Sequence, residues 1–286
     1  MIDAKKRIEE LTLQLQDYNY NYYVLDNSLI TDFEFDTLLK ELQDLEEKYP
    51  EFASENSPTK RVGGEVTKKF EQVIHKYPML SLSNSYSKED IIDFETRIKK
   101  LTNDEIEYVC ELKYDGVAIG IQYVNGVFHQ AVTRGDGTKG ENVSTNVKTI
   151  KTIPLKLRGD FPKDFEIRGE IFFPLENFER LNKSREENDE PLYANPRNTA
   201  SGTLKSLDSS IAAKRGLDCY LYGIYGDNIE IDNHYELVKK AKDWGFKIPL
   251  EENNYIKKTS SIEGILEFID YWAEERKNLP FEIDGV

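Results

Sequence analysis

One heptapeptide near the middle of the chain, Cys110 to Gly116, constrains the fold more than any other stretch. In an extended strand every second side chain points to the same face, so Glu111, Lys113 and Asp115 would line one side at spacings of roughly 7 Å. The flanking residues are apolar and β-prone, so the three charges interrupt what is otherwise typical of a buried hairpin. Charges there are costly unless they are paired or useful. The heptapeptide alone leaves open both a local ion pair on an exposed strand face and a reactive site.

The length of the chain predicts more than one folding unit. Its 286 residues exceed the usual size of a single domain, so we expect one large domain and one small one. A hydrophobic fraction of 38% with 12% aromatic residues is sufficient for a core. No apolar run approaches the ~20 residues of a membrane span, and no signal-peptide core follows the charged start. We therefore expect a soluble, cytoplasmic protein. We also expect it to be a monomer.

Net charge and cysteine content limit the possible partners. The formal charge of −15 argues against a tight grip on a nucleic-acid backbone by this chain alone, because that affinity comes from lysine and arginine displacing counterions. Cys110 and Cys219 are too few for a disulfide framework or a zinc site. Both lie in apolar, strand-like sequence, so we expect them to be buried free thiols.

The first 65 residues are predicted to form a small helical subdomain. Apolar and aromatic residues recur at three- and four-residue intervals over residues 4–26, which predicts an amphipathic helix. Thr31 and Glu34 form a capping-box pattern that begins a second helix, ending near Pro50. Aromatic side chains are more numerous here than a helix pair needs: Tyr18, Tyr20, Tyr22, Tyr23, Phe33 and Phe35. Core packing and a stacking platform for a flat ring, with Asp32 and Asp36 beside it, both remain open.

The rest of the chain, residues 66–286, predicts antiparallel sheets flanked by helices, which makes the fold class α+β. The proline- and glycine-rich residues 50–80 are expected to be a hinge-like linker. Asn125-Gly126 is a strong hairpin signal. The other predicted elements are a short strand at 79–84, a helix capped by Ser87 and continuing to Leu101, strands at 165–173 and 217–225, and helices from Pro174, around 235–244 and from Ser260 to Lys277.

Several motifs carry a resemblance to a known family. Lys113-Tyr114-Asp115-Gly116 matches the Lys-x-Asp-Gly signature of the covalent nucleotidyltransferases, which include DNA and RNA ligases and capping enzymes. The surrounding motifs follow in the order typical of bacterial NAD-dependent DNA ligases: Glu111-Leu112-Lys113, Thr133-Arg134-Gly135-Asp136-Gly137, Arg168-Gly169-Glu170, Ala194-Asn195-Pro196-Arg197-Asn198 and Asp284-Gly285-Val286. The chain therefore resembles the N-terminal adenylation part of that family over nearly its whole length.

The resemblance implies a fold and a reaction. The expected fold is a nucleotidyltransferase (ATP-grasp-like ligase) domain behind the helical subdomain. Lys113 would attack the α-phosphorus of NAD, release nicotinamide mononucleotide and keep AMP, which later passes to a DNA 5′-phosphate. The carboxylates of Glu111, Asp115 and Glu170 would hold the amine protonated, so Mg²⁺, or Mn²⁺, is required to reverse the local field.

The family's site residues carry over to matching positions of this sequence. The catalytic positions are Lys113, Asp115, Glu170 and Arg197, the last of which would handle the reacting phosphate. The nicotinamide mononucleotide half of NAD would lie against Tyr22, Tyr23, Asp32, Phe33, Glu34, Phe35 and Asp36. The remaining nucleotide contacts would come from Ser81, Leu82, Glu111, Arg134, Glu170, Tyr222 and Asp284, with Arg276 a further basic position. Tyr222 would stack on adenine, although a core tyrosine is the competing interpretation, and Asp284 would contact metal or ribose.

Two positions depart from the family pattern. Phe35 stands where the family usually has tyrosine, so a ring face is kept and a hydroxyl hydrogen bond is lost. Lys205 stands where the family usually has arginine, so the charge is kept and the bidentate geometry is lost. We expect weaker NAD binding from the first and weaker contact with a DNA phosphate from the second.

The last residues, Pro280 to Val286, resemble a strand cut off midway, which predicts either an excised adenylation fragment or the visible part of a longer chain. In the family this motif continues into a strand bearing an essential lysine, an oligonucleotide-binding barrel, a four-cysteine zinc module and further domains, so zinc would belong only to that region. Nicked double-stranded DNA would be a partner of the longer enzyme and a weak one of this fragment. Two alternatives remain: an ATP-dependent ligase or capping enzyme, disfavoured because those lack the tyrosine-rich helix pair, and a module that holds NAD without turning it over.

Overall fold

The computed structural model describes residues 2–25, 27–62, 69–227, 229, 231 and 233–286. The predicted domain boundary at residue 65 and the Gly63-Gly64 pair of the predicted linker lie outside these residues. In chain order, the α-helices of the described residues are α1 (Ile2–Tyr23), α2 (Asp32–Lys48), α3 (Lys88–Lys99), α4 (Ser144–Val147), α5 (Leu175–Glu187), α6 (Pro196–Leu204), α7 (Ser209–Arg215), α8 (His234–Asp243) and α9 (Ile262–Glu275). Short 3₁₀ helices cover Pro50–Phe52, Pro58–Val62 and Arg276–Asn278.

The strands form one four-stranded sheet and several two-stranded ladders, all antiparallel. They are β1 (Gln72–Ile74), β2 (Tyr108–Glu111), β3 (Lys113–Tyr114), β4 (Val117–Val124), β5 (Val127–Thr133), β6 (Lys139–Glu141), β7 (Asp164–Phe172), β8 (Asp218–Tyr225), β9 (Ile256–Thr259) and β10 (Ile283–Gly285). The large sheet has the order β5-β4-β7-β8, and the ladders pair β1 with β6, β2 with β9 and β3 with β10. The mixed α+β architecture predicted from the sequence is confirmed.

The N-terminal helical hairpin has its own small core. Ile8, Leu11 and Leu15 of α1 pack against Leu42 of α2, and Phe35 is partly buried beside them. Thr31 caps α2 with both halves of the predicted capping box, since Glu34 Oε2 accepts from the Thr31 backbone N–H at 2.9 Å. The first helix ends at Tyr23, three residues before the predicted end, because the backbone turns at residues 24–25.

The predicted linker at 50–80 is more ordered than a hinge needs. The side chain of Arg61 is buried, and its guanidinium donates to the carbonyls of Ile150 at 2.6 Å and Ile153 at 2.7 Å. Ser57 is fully buried, and the 3₁₀ helices on either side hold the chain against the body of the protein. Within the described part of 50–80, this passage is therefore a packed connection, and Pro50 and Pro58 start 3₁₀ helices rather than mark free chain.

The central stretch is not the single strand that its alternation predicted. The strand is interrupted at Leu112. The part before it, β2, pairs with β9, and the part after it, β3, pairs with β10. The alternation nevertheless holds across the break: Leu112 and Tyr114 are 4% and 5% exposed, within an aromatic core cluster. The reason for the error is that both partner strands come from sequence more than 140 residues away, which local periodicity cannot reveal.

The predicted hairpin at Asn125-Gly126 is confirmed. Both residues have positive φ, 51° and 74°, and they join β4 to β5 with Val124 opposite Val127. The predicted strand at 165–173 is β7, which runs through the centre of the large sheet and pairs with β4 and β8. The core of the molecule lies on this sheet and on the helices packed against it.

Several boundaries differ from the prediction. Residues 79–84 have no regular structure, because no neighbouring strand pairs with them in the described chain. Helix α9 is capped by Ser261, which accepts from the Gly264 backbone N–H, and not by Ser260. Leu101 lies beyond the end of α3 and is exposed. Helices α6 and α7 were not predicted, although Asn195-Pro196 and Asp208 with Gly216 are recognisable start and stop signals.

Both cysteines are free, as predicted, but only one is fully buried. Cys219 lies inside the main core, whereas Cys110 is partly exposed at the edge of the aromatic cluster. Among the helices of the described residues, none has the length and apolar content needed to cross a membrane.

Candidate functional site

Lys113 lies at the start of β3 with its amine held by a carboxylate from the facing strand. Its Nζ lies 2.5 Å from Asp284 Oδ1 and 2.6 Å from Oδ2. The pairing of β3 with β10, in which Gly285 is opposite Lys113, brings the aspartate there. The lysine side chain is 44% exposed. The amine is therefore both positioned by the fold and reachable from solvent.

Asp115 and Arg197 form a second ion pair beside the lysine. Arg197 Nη1 lies 3.1 Å from Asp115 Oδ1. The arginine is placed by the first turn of α6, whose N-cap Asn195 accepts from the Asn198 backbone N–H at 2.9 Å. Gly116 lets the chain turn immediately after the aspartate, since a Cβ at this position would stand 2.2 Å from the Ile171 carbonyl oxygen. Only glycine permits this approach of β7.

Glu170 on β7 completes the cluster around Lys113. Burial raises the pKa of its carboxyl to about 8, with Lys113 and Arg197 opposing the shift and Asp284 and Asp115 adding to it. Tyr222 of β8 is an electrostatic neighbour of Glu170, and burial raises the pKa of its phenol. The structure thus brings together Lys113, Asp115, Glu170, Arg197, Tyr222 and Asp284, which come from four strands, the turn after β3 and one helix.

The raised pKa of Glu170 predicts a stability that falls with rising pH. The unfolded carboxyl titrates near its ordinary value of about 4.3, so between that pH and about 8 the unfolded state has lost the proton that the folded state keeps. The contribution of Glu170 to the free energy of unfolding is fully present below about pH 4. It falls by about 1.4 kcal/mol per pH unit as the pH rises toward 8. We expect urea titrations at pH 5.5, 6.5 and 7.5, with divalent cations removed, to show a shallower decline for Glu170→Gln than for the wild type.

The matched control is Glu176→Gln, which changes a glutamate in the first turn of α5. It should keep the wild-type slope. Equal slopes for the wild type and Glu170→Gln would show that Glu170 does not hold its proton in the folded protein.

Glu111 pairs with a side chain that was not predicted as its partner. His234 Nε2, in the first turn of α8, lies 2.9 Å from Glu111 Oε2. The other carboxylate oxygen, Oε1, is buried and accepts no hydrogen bond within the described residues. A lone histidine 123 residues away carries no local signal, so sequence reasoning missed this contact.

Ser81 and Leu82 lie on an exposed segment that is anchored at its N-terminal end. Arg168 is buried and donates to the carbonyls of Tyr77 and Pro78, while it pairs with Glu166 at 2.6 Å. Its guanidinium also lies over the Tyr225 ring, 4.1 Å from the centroid. Arg134 follows β5 and is exposed, and its carbonyl oxygen lies 3.1 Å from His75 Nε2. The sequence predicted that Arg168 lies on a strand, but it did not predict that this arginine anchors residues 77–78.

The candidate residues of the helical hairpin form a separate cluster. The rings of Tyr22 and Tyr23 meet edge to face, 4.7 Å between centroids. The electrostatic neighbours of Tyr23 are Tyr22, Arg61, Asp32 and Asp36, and burial, the largest cause, raises the pKa of its phenol. None of these groups is among the electrostatic neighbours of Glu170. Phe33 is exposed, and Glu34 is engaged in the cap of α2.

The two remaining basic candidates are held within the fold. Lys205 Nζ lies 2.5 Å from Glu141 Oε2. Arg276 Nη2 donates to the Ile283 carbonyl at 3.1 Å, next to Asp284. Neither side chain forms a hydrogen bond or an ion pair with Lys113 in the described structure.

Carboxylate oxygens are the donors that magnesium prefers, and around Lys113 they are supplied by Asp115, Asp284 and, once it has lost its proton, Glu170. Within the described residues, no three acidic, histidine or cysteine side chains converge closely enough to form a metal cage. That donor set fits an ion held partly by substrate phosphate and water.

A helical N-terminal region followed by small antiparallel sheets and helices is consistent with the architecture of a nucleotidyltransferase domain. The chain belongs to the NAD-dependent DNA ligase adenylation domain family, whose model matches residues 67–286. A second model, described as the DNA ligase-like, N-terminal NAD+-binding domain, matches residues 1–63. The family resemblance inferred from the motifs is thus confirmed.

Curated relatives named DNA ligase align along the whole chain. The protein of Christiangramia forsetii is 54% identical over 285 residues, covering 100% of this chain and 42% of the relative. That of Bacteroides fragilis is 54% identical over 285 residues, with 99% and 42% covered. That of Flavobacterium johnsoniae is 52% identical over 286 residues, with 100% and 42% covered. The chain therefore spans about two fifths of the length of these relatives.

Proposed function

We propose that this chain carries out the adenylation step of an NAD-dependent DNA ligase, with Lys113 as the nucleophile. The observation that supports it best is the exposed Lys113 amine held at 2.5 Å from Asp284, beside the Arg197–Asp115 pair and Glu170. The lysine nitrogen forms a bond to the α-phosphorus of NAD, and the bond from that phosphorus to the bridging oxygen breaks. Nicotinamide mononucleotide leaves, the amine loses its proton, and AMP remains on the lysine.

The neighbouring side chains position the amine and the phosphate. Asp284 aims the lysine from the facing strand and must give up its ion pair for the neutral amine to attack. Arg197 gives up part of its contact with Asp115 and binds the α-phosphate instead. Its guanidinium can donate two parallel hydrogen bonds to two phosphate oxygens. A magnesium ion held by the carboxylates and phosphate would supply compensation for the negative charge that develops at phosphorus.

The rest of the nucleotide would lie along the predicted cofactor residues. Tyr222 offers a ring face to adenine next to Glu170, Arg134 reaches ribose or phosphate, and Ser81 and Leu82 flank the base. The helical hairpin would receive the nicotinamide mononucleotide half between Tyr22, Tyr23, Asp32, Phe35 and Asp36, with aromatic faces for the cationic ring. Residues 1–65 and 66–286 would then be the two units that share one NAD molecule, and the two clusters must meet for the reaction.

The later steps would need parts of the longer DNA ligases that lie outside the region matched by this chain. AMP would pass from Lys113 to the 5′-phosphate of nicked DNA, and sealing would serve replication and repair in the cytoplasm. The net charge of −15 predicts weak DNA binding by this chain alone. Lys205, paired with Glu141, offers a single point charge to a DNA phosphate. We expect the chain to act as a monomer, and zinc would be needed only in the region that follows in the family.

One experiment tests the proposal against both alternatives. The chain is incubated with magnesium and either NAD or ATP, and the intact protein is weighed. We expect the mass of one AMP to be added from NAD and none from ATP, because NAD offers the nicotinamide mononucleotide half that the helical hairpin would bind. Addition from ATP alone would favour an ATP-dependent transferase, and no addition from either would favour a module that only holds NAD.

A further inference from the structure

The contact between His234 and Glu111 joins the first turn of α8 to the end of β2, two residues before Lys113. Asn233 caps α8 by accepting from the Glu236 backbone N–H, which fixes the first turn and the direction of His234. The imidazole Nε2 lies 2.9 Å from Glu111 Oε2. Because an ionised carboxylate can only accept hydrogen bonds, the imidazole is the donor. The pKa of His234 is raised, first by this hydrogen bond, which agrees with a donating ring.

Glu111 still has one oxygen without a partner. Oε1 is buried and accepts no hydrogen bond from the described residues, while the side chain as a whole is 20% exposed. A buried carboxylate oxygen without a donor is costly, so such an atom in a binding site indicates a donor on the ligand. With Oε2 fixed by His234, the direction of Oε1 is fixed as well.

The position of this oxygen relative to Lys113 suits the base of a nucleotide. Leu112 and Tyr114 both point inward, so Glu111 and Lys113 share the outer face, with Cα atoms on the order of 7 Å apart. A nucleotide joined to Lys113 by its phosphate extends away from it by the length of a ribose and a base. The exocyclic amino group of adenine is a hydrogen-bond donor, whereas the oxygen of hypoxanthine at the same place is an acceptor.

We propose that His234 is a positioning residue that fixes the Glu111 carboxylate, so that Glu111 Oε1 selects a dinucleotide whose base carries an exocyclic amino group. The inference rests on the proposed function, since it concerns the base of the same substrate. Without His234, the Glu111 carboxylate can rotate, and Oε1 is no longer held opposite the base. The alternative is that His234 only pins α8 to β2, which would affect stability without affecting the choice of base.

The test compares NAD with nicotinamide hypoxanthine dinucleotide, which differs in that amino group. For the wild type, His234→Ala and His234→Gln, we would measure binding of each by calorimetry without divalent cations, and AMP or IMP transfer to the protein with magnesium. We expect His234→Ala to lower the preference for NAD by about tenfold to a hundredfold, since a hydrogen bond to a charged group is lost from its fixed geometry. The effect should be in KM, with the rate at saturation nearly unchanged.

His234→Gln should restore most of the preference, because its amide can donate to Glu111 Oε2. His129→Ala, on the exposed side of β5, is the matched control and should keep the wild-type preference. An unchanged preference in His234→Ala, in binding or in transfer, would overturn the inference. Failure of the wild type to take up AMP would instead count against the proposed function, and the binding ratios would still decide the role of His234.

Discussion

Lys113→Arg should abolish AMP transfer from NAD while leaving the fold intact. The guanidinium keeps a positive charge that can pair with Asp284, so β3 and β10 should remain joined. It cannot act as a nucleophile, because it stays protonated at any pH the protein tolerates. Intact-mass measurement after incubation with NAD and magnesium should show no added AMP. We expect the loss to be complete, since no other described side chain occupies the position of that amine.

The control for this prediction is Lys258→Arg, at a lysine that pairs with Glu107 at 2.9 Å on the β9 edge. It should take up AMP as the wild type does. A thermal melt of each variant checks folding. If Lys113→Arg were folded and still acquired AMP, the nucleophile would have to be another group.

Arg168→Met should give the largest loss of stability. The arginine side chain is 6% exposed, and its charge is met by Glu166 and by the Tyr77 and Pro78 carbonyls. Removing one partner of a buried ion pair leaves an uncompensated charge and costs about 3–5 kcal/mol. For a domain of this size that corresponds to a drop in the melting midpoint of roughly 10 °C. Thermal and urea unfolding would measure it.

Two further variants make the cause of that loss testable. Arg97→Met changes an arginine that lies over the Phe94 ring on α3, a helix with no buried residue, and should cost less than about 0.5 kcal/mol. Adding Glu166→Leu to Arg168→Met removes the unpaired acid and should recover part of the stability. Recovery should be incomplete, because the Tyr77 and Pro78 carbonyls remain without their donor. A cost for Arg168→Met no larger than that for Arg97→Met would contradict the role assigned to this arginine.

Local signals predicted those features whose physical cause is local. The hairpin at Asn125-Gly126 follows from two adjacent positions that tolerate positive φ. The cap of α2 needs only Thr31 and Glu34, which are three residues apart. The alternation of the central stretch was predicted correctly, because buried Leu112 and Tyr114 alternate with the more exposed Glu111 and Lys113 whatever the strand's partner is.

Features that depend on distant partners could not be predicted in the same way. The strand is interrupted at Leu112 because its two halves pair with different strands, β9 and β10, which are distant in the sequence. The motifs did identify Lys113, Arg197 and Glu170, which the fold brings into one cluster, but their roles in catalysis remain predictions. Nothing in the sequence joins His234 to Glu111 or Arg168 to the 77–78 carbonyls, since both contacts arise only when separate elements pack.

The short ladder between β3 and β10 has a practical consequence for anyone who shortens this protein. Residues 283–285 pair with β3 along an edge that would otherwise be unpaired. Phe281 packs on Tyr114, with ring centroids 5.4 Å apart. A truncation that ended before Phe281 would uncover an aromatic pocket and a row of unbonded amides at once, both of which promote self-association. Expression trials should therefore treat the final six residues as part of the folding unit, because a shorter product would be expected in the insoluble fraction.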